Sequence, residues 1–470
     1  MIKLENISFA YDQSLCLKEV SLKVEKGESI AIIGPSGNGK TSIIRTINGL
    51  IPNYFENGNL QGNVHINGKN AEEFPMWERG KKVGSVFQDP RTQFFSNKVE
   101  GEIAFACENY GLRHDKIVTC TNDIMKQLKL QDLQDKDLSE LSSGERQKVA
   151  IASAMVTKAK ILIFDEPSAN LDTEGIDNLK NILEIFKNNG TTMVFAEHRI
   201  YYLMNIVDRF LYIEDGKIVK EYTKDEIMKI SLLQQQKLGI RCPHKTKINS
   251  LRNISVKQKD KSLIELKDVS LSIKGKSIIE NCSFSGYAGQ IIAVLGTNGA
   301  GKTTLAKVIS GMYKETEGNI IINDKKYNHK KRNKKVWYSA NETQTQFFTN
   351  SIEKEILIGI DGSHEKLEKA REFLKLFNLY DIRDKHPYAL SGGQKQRLSI
   401  LCGLLSDRDI LILDEPSSGL DYRNMEILAE AIKNAALLNK TILLITHDYE
   451  LVNACCTHYY DLSEENVYEQ

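Results

Sequence analysis

The residues best suited to chemistry form two glycine-rich stretches, each ending in a lysine and a threonine. They occupy residues 34–41 and 296–303, and both have the spacing G-x-x-x-x-G-K-[ST]. Each follows a short apolar run and precedes a helix-compatible segment, so both are predicted to be phosphate-binding loops between a strand and a helix. Backbone N–H groups and the helix N-terminus would attract phosphate oxygens, with the lysine on the outer phosphates and the threonine on Mg²⁺.

The predicted phosphate-binding residues of the two loops share this spacing. They are Gly34, Pro35, Ser36, Gly37, Asn38, Gly39, Lys40, Thr41 and Ser42 in the first half, and Gly296, Thr297, Asn298, Gly299, Ala300, Gly301, Lys302, Thr303 and Thr304 in the second. The repeat is too long for a solenoid and predicts two copies of one domain.

A pair of carboxylates ends a continuously apolar run in each half. Asp165 and Glu166 follow Phe164, and Asp414 and Glu415 hold the matching place in the second half. Burying carboxylates without partners is costly, and a Mg²⁺ ion would supply a partner. We therefore expect each aspartate beside the metal and each glutamate to orient or deprotonate a water molecule.

Two further motifs recur in the same order. His198 and His447 each close a later apolar run; a single histidine there is most often structural, but these two correspond. Helices are predicted to begin at small polar triplets, which are anion-receptive although they also act as simple helix caps. The triplets are Ser142, Ser143 and Gly144 in the first half, and Ser391, Gly392 and Gly393 in the second.

The surrounding elements follow from the residue patterns. Alternating apolar and polar residues over 1–26 predict an antiparallel strand pair, and the apolar runs predict buried parallel strands. Residues 1–222 and 263–470 are predicted to form the two domains. Between them, residues 223–262 carry a glutamine triplet and scattered lysines, which predict a helix followed by a loose linker.

Composition limits the class of protein. The 470 residues are 41% apolar and 27% charged, as in a soluble globular chain of two or three domains. A net charge of +1 gives no bulk electrostatic case for nucleic acid or an anionic membrane surface as the main partner. No apolar run suits a membrane helix, the N-terminus does not read as a signal peptide, and the eight cysteines are scattered, so reduced thiols are expected.

Taken together, the motifs resemble the nucleotide-binding domains of ABC ATPases over nearly the whole chain. Each half contains a phosphate loop, a signature, an acidic pair, a following D-loop (residues 168–172 and 417–421) and a switch histidine. The resemblance implies an α/β protein of two tandem P-loop NTPase domains. Each would have a mixed central sheet, an antiparallel β subdomain and a helical signature subdomain. The two domains would pair head to tail within one chain, with ATP and Mg²⁺ between them.

The family arrangement implies two composite sites. The first would join Lys40, Thr41, Gln88, Asp165, Glu166 and His198 with the second triplet, and Tyr11 would stack on adenine. The second would join Lys302, Thr303, Asp414, Glu415 and His447 with the first triplet. The catalytic set is then Glu166, Glu415, His198, His447 and Gln88, and the metal set is Thr41, Gln88, Asp165, Thr303 and Asp414.

The second site departs from the first at several positions. Ile273 stands where Tyr11 would stack, and Asn341 replaces Gln88 with a side chain about 1.5 Å shorter. Gln344 or Gln346 would substitute if the loop shifts. The signature serving this site also has Ser143 for glycine and Glu145 for glutamine. We therefore hypothesise that both sites bind ATP and that the second hydrolyses it more slowly.

A closer resemblance involves the residues after Gln88. Residues 88–95 and 102–112 are similar to the ATPases of energy-coupling factor (ECF) transporters, which take up vitamins, nickel or cobalt, and residues 346–356 keep a trace of the pattern. This implies a transmembrane scaffold subunit, a substrate-binding membrane subunit and a peripheral location on the cytoplasmic face of the membrane, without nucleic acid. Glu100, Glu102 or Glu353 would receive a basic residue of the scaffold, although each is equally well explained as a solvated residue.

Three other classes of protein share some of these features. A tandem ATPase of a sugar or peptide importer fits the motifs but not residues 93–95. A ribosome-associated tandem ATPase would carry a long charged linker or a cysteine-rich N-terminus. A DNA-repair ATPase would need a long coiled-coil insertion.

Overall fold

The computed structural model describes residues 1–11, 14–54, 58–249, 251–253, 262–297, 299–340, 347–358, 364–390 and 392–462. The chain divides into two compact units. One is Met1–Lys245 with Asp421–Arg423, and the other is Thr246–Leu420 with Asn424–Gln470.

The described residues of the first unit form ten strands in two sheets. They are β1 (Ile2–Tyr11), β2 (Ser14–Val24), β3 (Ser29–Ile33), β4 (Asn59–Ile66), β5 (Lys69–Asn70), β6 (Val83–Val86), β7 (Ile161–Asp165), β8 (Thr192–Ala196), β9 (Arg209–Glu214) and β10 (Lys217–Tyr222). One sheet is antiparallel with the order β2-β1-β4-β5, which confirms the predicted pairing of the first two strands. The other has the order β10-β9-β3-β8-β7-β6 and is parallel except at β10.

Nine α-helices accompany these strands in the described part of the first unit. They are α1 (Lys40–Asn48), α2 (Leu50–Asn53), α3 (Met76–Lys82), α4 (Val99–Asn109), α5 (His114–Leu128), α6 (Ser143–Met155), α7 (Thr173–Asn188), α8 (Lys224–Met228) and α9 (Leu232–Leu238). Helices α4, α5 and α6 pack on one another and form the helical subdomain around the Ser142 triplet.

The second unit repeats this plan. Its strands are β11 (Arg252–Asn253), β12 (Ile264–Ile273), β13 (Lys276–Gly286), β14 (Ile291–Leu295), β15 (Glu317–Ile322), β16 (Lys325–Lys326), β17 (Val336–Ser339), β18 (Ile410–Asp414), β19 (Thr441–Ile445) and β20 (His458–Asp461). Its helices are α10 (Lys302–Ser310), α11 (His329–Arg332), α12 (Ile352–Ile356), α13 (His364–Leu376), α14 (Gly392–Leu405), α15 (Tyr422–Leu437) and α16 (Tyr449–Cys455). The sheets have the orders β13-β12-β15-β16 and β11-β20-β14-β19-β18-β17, and the second of these is parallel.

Strand β3 shows why its sequence is apolar without alternation. Ile30 and Ile32 belong to the core beneath the antiparallel sheet, whereas Ala31 and Ile33 belong to the core beneath the helices. Successive side chains of a strand point to opposite faces, so a sheet covered on both faces requires apolar residues at every position.

This topology gathers the predicted motifs. Strands β3, β7 and β8 are adjacent and parallel, so the phosphate loop, the Asp165 pair and His198 follow their carboxyl ends at one edge of the sheet. Strands β14, β18 and β19 do the same for the second set. Ligand sites of open α/β sheets lie at this edge.

The predicted linker is ordered over much of its length. Helices α8 and α9 belong to the first unit, where Ile240 is buried in the core beneath the helices. Residues 246–253 belong to the second unit, where β11 pairs with β20. The boundaries at 222 and 263 stay a prediction. Within the described ranges, no helix is both long and apolar enough to span a membrane.

Candidate functional site

Each phosphate loop ends, just before its helix, at a position that only glycine can occupy. Gly39 has φ of +99°, and a Cβ there would lie 2.8 Å from the carbonyl oxygen of Cys16. Gly301 has φ of +93°, with the same distance to the carbonyl oxygen of Ile278. Both the left-handed conformation and the close backbone require glycine, as the loop motif predicts.

The loop lysines lie across their own loops. Lys40 Nζ donates to the carbonyl oxygens of Gly34 and Pro35, at 2.9 Å each. Lys302 Nζ donates to those of Gly296 and Thr297, at 2.8 Å each. Burial lowers the pKa of Lys40, and the nearby Glu166 and Asp165 carboxylates oppose that effect. Both ammonium groups are therefore held where phosphate oxygens would meet the loop.

Other residues of the first loop stabilise its shape. Asn38 donates its side-chain amide to the carbonyl of Pro35 at 3.3 Å and accepts the N–H of Asp215 at 2.8 Å. Ser36 Oγ lies 3.4 Å from His198 Nε2, so the predicted switch histidine reaches the phosphate loop. In the second loop, Asn298 lies outside the described residues, and the N–H of Ala300 donates to the carbonyl of Thr297 at 3.2 Å.

The structure brings the predicted metal-binding residues together in each unit. Thr41 Oγ1 donates to Asp165 Oδ1 at 2.9 Å, and Thr303 Oγ1 donates to Asp414 Oδ1 at 3.2 Å. A hydroxyl oxygen and a carboxylate are hard oxygen donors of the kind that Mg²⁺ takes beside a nucleotide, so the donor set fits the metal. Burial, with the charge of Glu166, raises the pKa of Asp165 to about 6.

Glu166 lies at the centre of the first site. Its Oε2 accepts the side-chain amide of Gln88 at 2.7 Å, and its Oε1 lies 3.3 Å from His198 Nε2. Glu166 has φ of +45°, which is strained for a residue with a side chain, and its N–H donates to the carbonyl of Ala196 at 2.8 Å. Burial raises its pKa to about 7. A carboxylate of this pKa suits proton transfer from water near neutral pH.

Glu415 repeats the backbone but not the side-chain contacts. Its φ is +47°, and its N–H donates to the carbonyl of Ile445 at 2.8 Å. Its Oε2 accepts from Thr446 Oγ1 at 3.1 Å, and its Oε1 lies 3.8 Å from His447 Nε2. Asn341, predicted to take the place of Gln88, lies outside the described residues, as do Gln344 and Gln346.

Tyr11 is placed beside the first loop. Its hydroxyl lies 3.4 Å from Ser42 Oγ and accepts from Arg45 at 3.3 Å, and its ring packs edge-on against Phe9. Tyr11 is the last residue of β1, and Ile273 is the last residue of β12, so the two positions correspond as predicted from the sequence. Stacking of Tyr11 on adenine stays a prediction.

The signature triplets begin their helices. Ser142 caps α6, since its Oγ accepts the N–H of Glu145 at 3.3 Å and Glu145 Oε2 accepts the N–H of Ser142 at 2.7 Å. Glu145, one of the departures from the family pattern, is thus explained as half of a capping box. Gly392 and Gly393 open α14, and Ser391 lies outside the described residues. The pairing of each triplet with the opposite loop stays a prediction.

One prediction about Glu102 is wrong. This glutamate is 1% exposed, and its Oε2 accepts the N–H groups of Phe95 and Ser96 at 2.8 and 2.9 Å, so it does not face a partner. Glu355 holds Phe348 and Thr349 in the same way at 3.0 and 2.8 Å. We call these the glutamate clamps. In both halves the sequence places a glutamate seven residues after the second phenylalanine, and this repeated spacing could have indicated the clamps.

Two other polar residues near the sites were not predicted. Glu197 is buried before His198 and accepts hydrogen bonds from Ser168 and, at 3.0 Å, from the Tyr202 hydroxyl. Burial raises the pKa of Glu197 to about 8. Tyr338 of β17 donates its hydroxyl to Asp414 Oδ2 at 3.0 Å. Neither residue has a like counterpart in the other half, so the internal repeat could not reveal them.

Comparison with known proteins agrees with this geometry. The family described as ABC transporter matches residues 17–169 and 279–418. A Treponema denticola protein, provisionally named as an ABC transporter ATP-binding protein, is 36% identical, and the match covers 100% of this chain and 97% of the relative.

Two solved structures are also similar. An archaeal ABCE1 bound to the ribosome with Pelota has a TM-score of 0.66 at 24% identity, covering 97% of this chain and 76% of that one. The cbiO1 protein of Clostridium perfringens, part of the ABC transporter complex cbiONQ, has a TM-score of 0.45 at 28% identity, covering 50% and 92%.

The family match and the ABCE1 structure confirm the predicted fold class of two P-loop NTPase domains, and each unit has its own antiparallel β subdomain. They also agree with the ATP-hydrolysing chemistry that the paired loops and carboxylates indicate. The chain therefore belongs to the ABC transporter family and carries two of its ATP-binding domains.

Proposed function

We propose that the chain is the ATP-hydrolysing subunit of an ECF-type transporter for a vitamin or a transition-metal ion. Its place would be the cytoplasmic face of the membrane, beside a transmembrane scaffold subunit and a substrate-binding membrane subunit. Its nucleotide-binding domains would be residues 1–222 and 263–470, joined by residues 223–262 and paired within the chain. The observation that carries the proposal is an exposed phenylalanine at the same place in each unit, Phe95 in the first and Phe348 in the second.

Each phenylalanine has a second apolar residue ten positions later in the sequence, which gives the matching pairs Phe95–Phe105 and Phe348–Ile358. Phe95 is 74% exposed and stacks on Phe105 with 4.9 Å between ring centroids. In the second unit, Phe348 is 82% exposed and Ile358 is 54% exposed. Large apolar side chains paired at an exposed surface are typical of a protein–protein contact.

The glutamate clamps support this interpretation. Each clamp binds backbone N–H groups, so it fixes the loop without covering the phenylalanine side chain. The preceding residue anchors the second loop, since Phe347 is buried. The loop is thus held from behind while Phe95 and Phe348 stay available to a partner.

A cleft adjoins the first of these pairs. Its volume is about 590 Å³, and its lining includes Arg91, Phe94, Asp137 and Arg146. Arg91 is held by the Asp89 carboxylate at 2.9 Å, which fixes the cleft wall. An amphipathic helix of the scaffold subunit suits this surface, with apolar side chains against Phe95 and Phe105. Glu100 and Glu353 remain proposed contacts for its basic residues.

The same loop connects the cleft to the first ATP site. Gln88 binds Glu166, and five residues later Gln93 accepts the N–H of Phe87 at 3.0 Å. Pro90–Gln93 form a single 3₁₀ turn capped by Asp89. A change in the position of Glu166 would therefore move a short, hydrogen-bonded segment that ends at Phe95.

In the proposed reaction, each residue of the first site has a separate role. Lys40 and the loop N–H groups bind the phosphates, and His198 contacts the terminal one. Glu166 polarises the attacking water, which Gln88 helps to position. Magnesium, held by Thr41, Gln88 and Asp165, would neutralise charge on the phosphate oxygens. Equivalent roles are proposed for Lys302, Thr303, Asp414, Glu415 and His447.

A pull-down in gentle detergent followed by mass spectrometry tests the proposal. We expect the full chain to recover a multi-span scaffold and a small multi-span binding protein. The double variant Phe95→Ser, Phe348→Ser should lose them, whereas Tyr54→Ser, which removes another exposed aromatic residue, should not. The proposal would be contradicted by recovery of ribosomal proteins alone, or by membrane subunits that bind the unaltered chain and both variants equally.

A further inference from the structure

The acidic pair of the second unit has a partner that the first unit lacks. Tyr338 lies in β17 opposite Ile412 of β18, and its hydroxyl donates to Asp414 Oδ2 at 3.0 Å. Thr303 donates to the other oxygen, Oδ1, at 3.2 Å. Both oxygens of the predicted metal-binding carboxylate thus accept hydroxyl hydrogen bonds.

The matching position in the first unit is Ser85, opposite Ile163 of β7. Its hydroxyl accepts the side-chain amide of Asn48 at 3.3 Å. Within the part of the chain that the structure describes, Thr41 is the one side chain that hydrogen-bonds Asp165, through Oδ1. Among the described residues, no side chain donates to Asp165 Oδ2, whereas Tyr338 donates to Asp414 Oδ2.

A second difference accompanies the first. Asn48 is the last residue of α1, and the last residue of α10 is the smaller Ser310. Ser310 turns its hydroxyl back to the carbonyl of Lys307 at 3.1 Å instead of bonding the neighbouring strand. In the second unit, the helix residue is smaller (Ser310 in place of Asn48), and the strand residue is larger (Tyr338 in place of Ser85). The Tyr338 ring packs against the apolar core of the second unit, which fixes its hydroxyl at Asp414.

We propose that Tyr338 is a positioning residue that holds the Asp414 carboxylate and weakens Mg²⁺ binding at the second site relative to the first. A carboxylate oxygen that already accepts an O–H group is partly engaged, so a cation or its bound water must compete with that hydroxyl for the same oxygen. The inference rests on the proposed role of Asp414 in holding magnesium, but not on any role in transport. Tyr338, on the strand next to that of Asp414, is thus a further expected difference between the two sites.

Manganese, a paramagnetic substitute for magnesium, tests this directly. The full chain carrying Asp165→Asn would be titrated with Mn²⁺ in the presence of a non-hydrolysable ATP analogue, and free Mn²⁺ would be followed by electron paramagnetic resonance. We expect Tyr338→Phe to tighten Mn²⁺ binding at the remaining site by roughly tenfold, because the cation no longer competes with a hydrogen bond to a charged group. Tyr327→Phe, which removes a hydroxyl from a tyrosine packed on the same core, should leave it unchanged.

A further variant guards against a packing artefact. Tyr338→Ser combined with Ser310→Asn rebuilds the pair found in the first unit, and it should tighten Mn²⁺ binding as Tyr338→Phe does. Unchanged or weaker binding in both variants would overturn the inference while leaving the site assignment intact. If Asp165→Asn, Asp414→Asn still binds Mn²⁺ with the nucleotide as tightly as Asp165→Asn alone, the assignment of Asp414 fails and the inference fails with it.

Discussion

Gln88 donates its side-chain amide to the carboxylate of Glu166 at 2.7 Å, joining the residues that follow β6 to those that end β7. This bond links the proposed water-polarising group to the segment that carries Phe95. The proposed water-polarising group and the proposed docking surface thus follow neighbouring strands of one sheet.

Removal of this bond should affect hydrolysis more than binding. In Gln88→Ala, the Glu166 carboxylate loses its orienting partner, while Lys40 and the phosphate loop are untouched. We expect the ATPase rate to fall by at least about tenfold with little change in nucleotide affinity. Steady-state ATPase assays and fluorescent-nucleotide titrations check this, with Lys116→Ala on an exposed part of α5 as the control. A loss confined to affinity would contradict the proposed role.

The two glutamates of the acidic pairs should contribute unequally. Glu166→Gln is expected to reduce ATP hydrolysis of the assembled transporter more than Glu415→Gln, because the second site is hypothesised to be slower. The two variants are matched, since both residues have left-handed backbones at the end of equivalent strands. An equal loss, or a larger one for Glu415→Gln, would refute the hypothesis.

Glu197 should make stability depend on pH. Burial raises its folded pKa to about 8 from an ordinary value of 4.5, so the folded state keeps a proton that the unfolded state releases between these values. Stability therefore falls as pH rises through this window, by an amount on the order of a few kcal/mol. Glu197→Gln should lose less stability between pH 5 and pH 8.

Thermal unfolding at several pH values checks this expectation. Asp165 and Glu166, whose pKa values burial also raises, contribute in the same direction, so the difference between wild type and variant is the relevant quantity. Glu73→Gln, at an exposed position of the same unit, should follow the wild type. Parallel curves for wild type and Glu197→Gln would show that Glu197 does not titrate as proposed.

The first glutamate clamp should be measurable as folding energy. Glu102→Ala would leave the N–H groups of Phe95 and Ser96 without their acceptor, costing about 1–3 kcal/mol for each group that stays buried. The midpoint of urea unfolding should fall. Glu100→Ala, two residues earlier at an exposed position of the same helix, should change the free energy of unfolding by less than about 0.5 kcal/mol. Equal effects of the two variants would rule out the clamp.

Much of the site was predictable because its signals are local. The phosphate loops follow from glycine spacing between an apolar run and a helix, and the left-handed glycines at 39 and 301 agree with that motif. The burial of Asp165 and Asp414 followed from the apolar strands before them. The repeat then identified His198 and His447, which neither half would have justified alone.

The unpredicted residues depend on contacts between distant parts of the chain. Tyr338 reaches Asp414 because β17 and β18 are paired in a particular register, which no local pattern determines. From the sequence, Glu197 is only a charged residue after a strand. Its burial depends on hydrogen bonds from Ser168 and Tyr202, which are distant from each other in the sequence. Glu102 was expected either to contact a partner or to be solvated, but the loop before its helix folds back so that the N–H groups of Phe95 and Ser96 donate to it.

The pairing of β11 with β20 has a consequence for dividing the protein. Ile248 and Leu251 pack against the cluster of Ala293, Leu295 and Val452, and β11 covers the outer strand of a parallel sheet. A fragment that starts at residue 263 would lose this strand, leaving an uncapped sheet edge next to apolar side chains, which is a known cause of self-association. A fragment that starts at residue 246 would keep the cover and should remain monodisperse in size-exclusion chromatography.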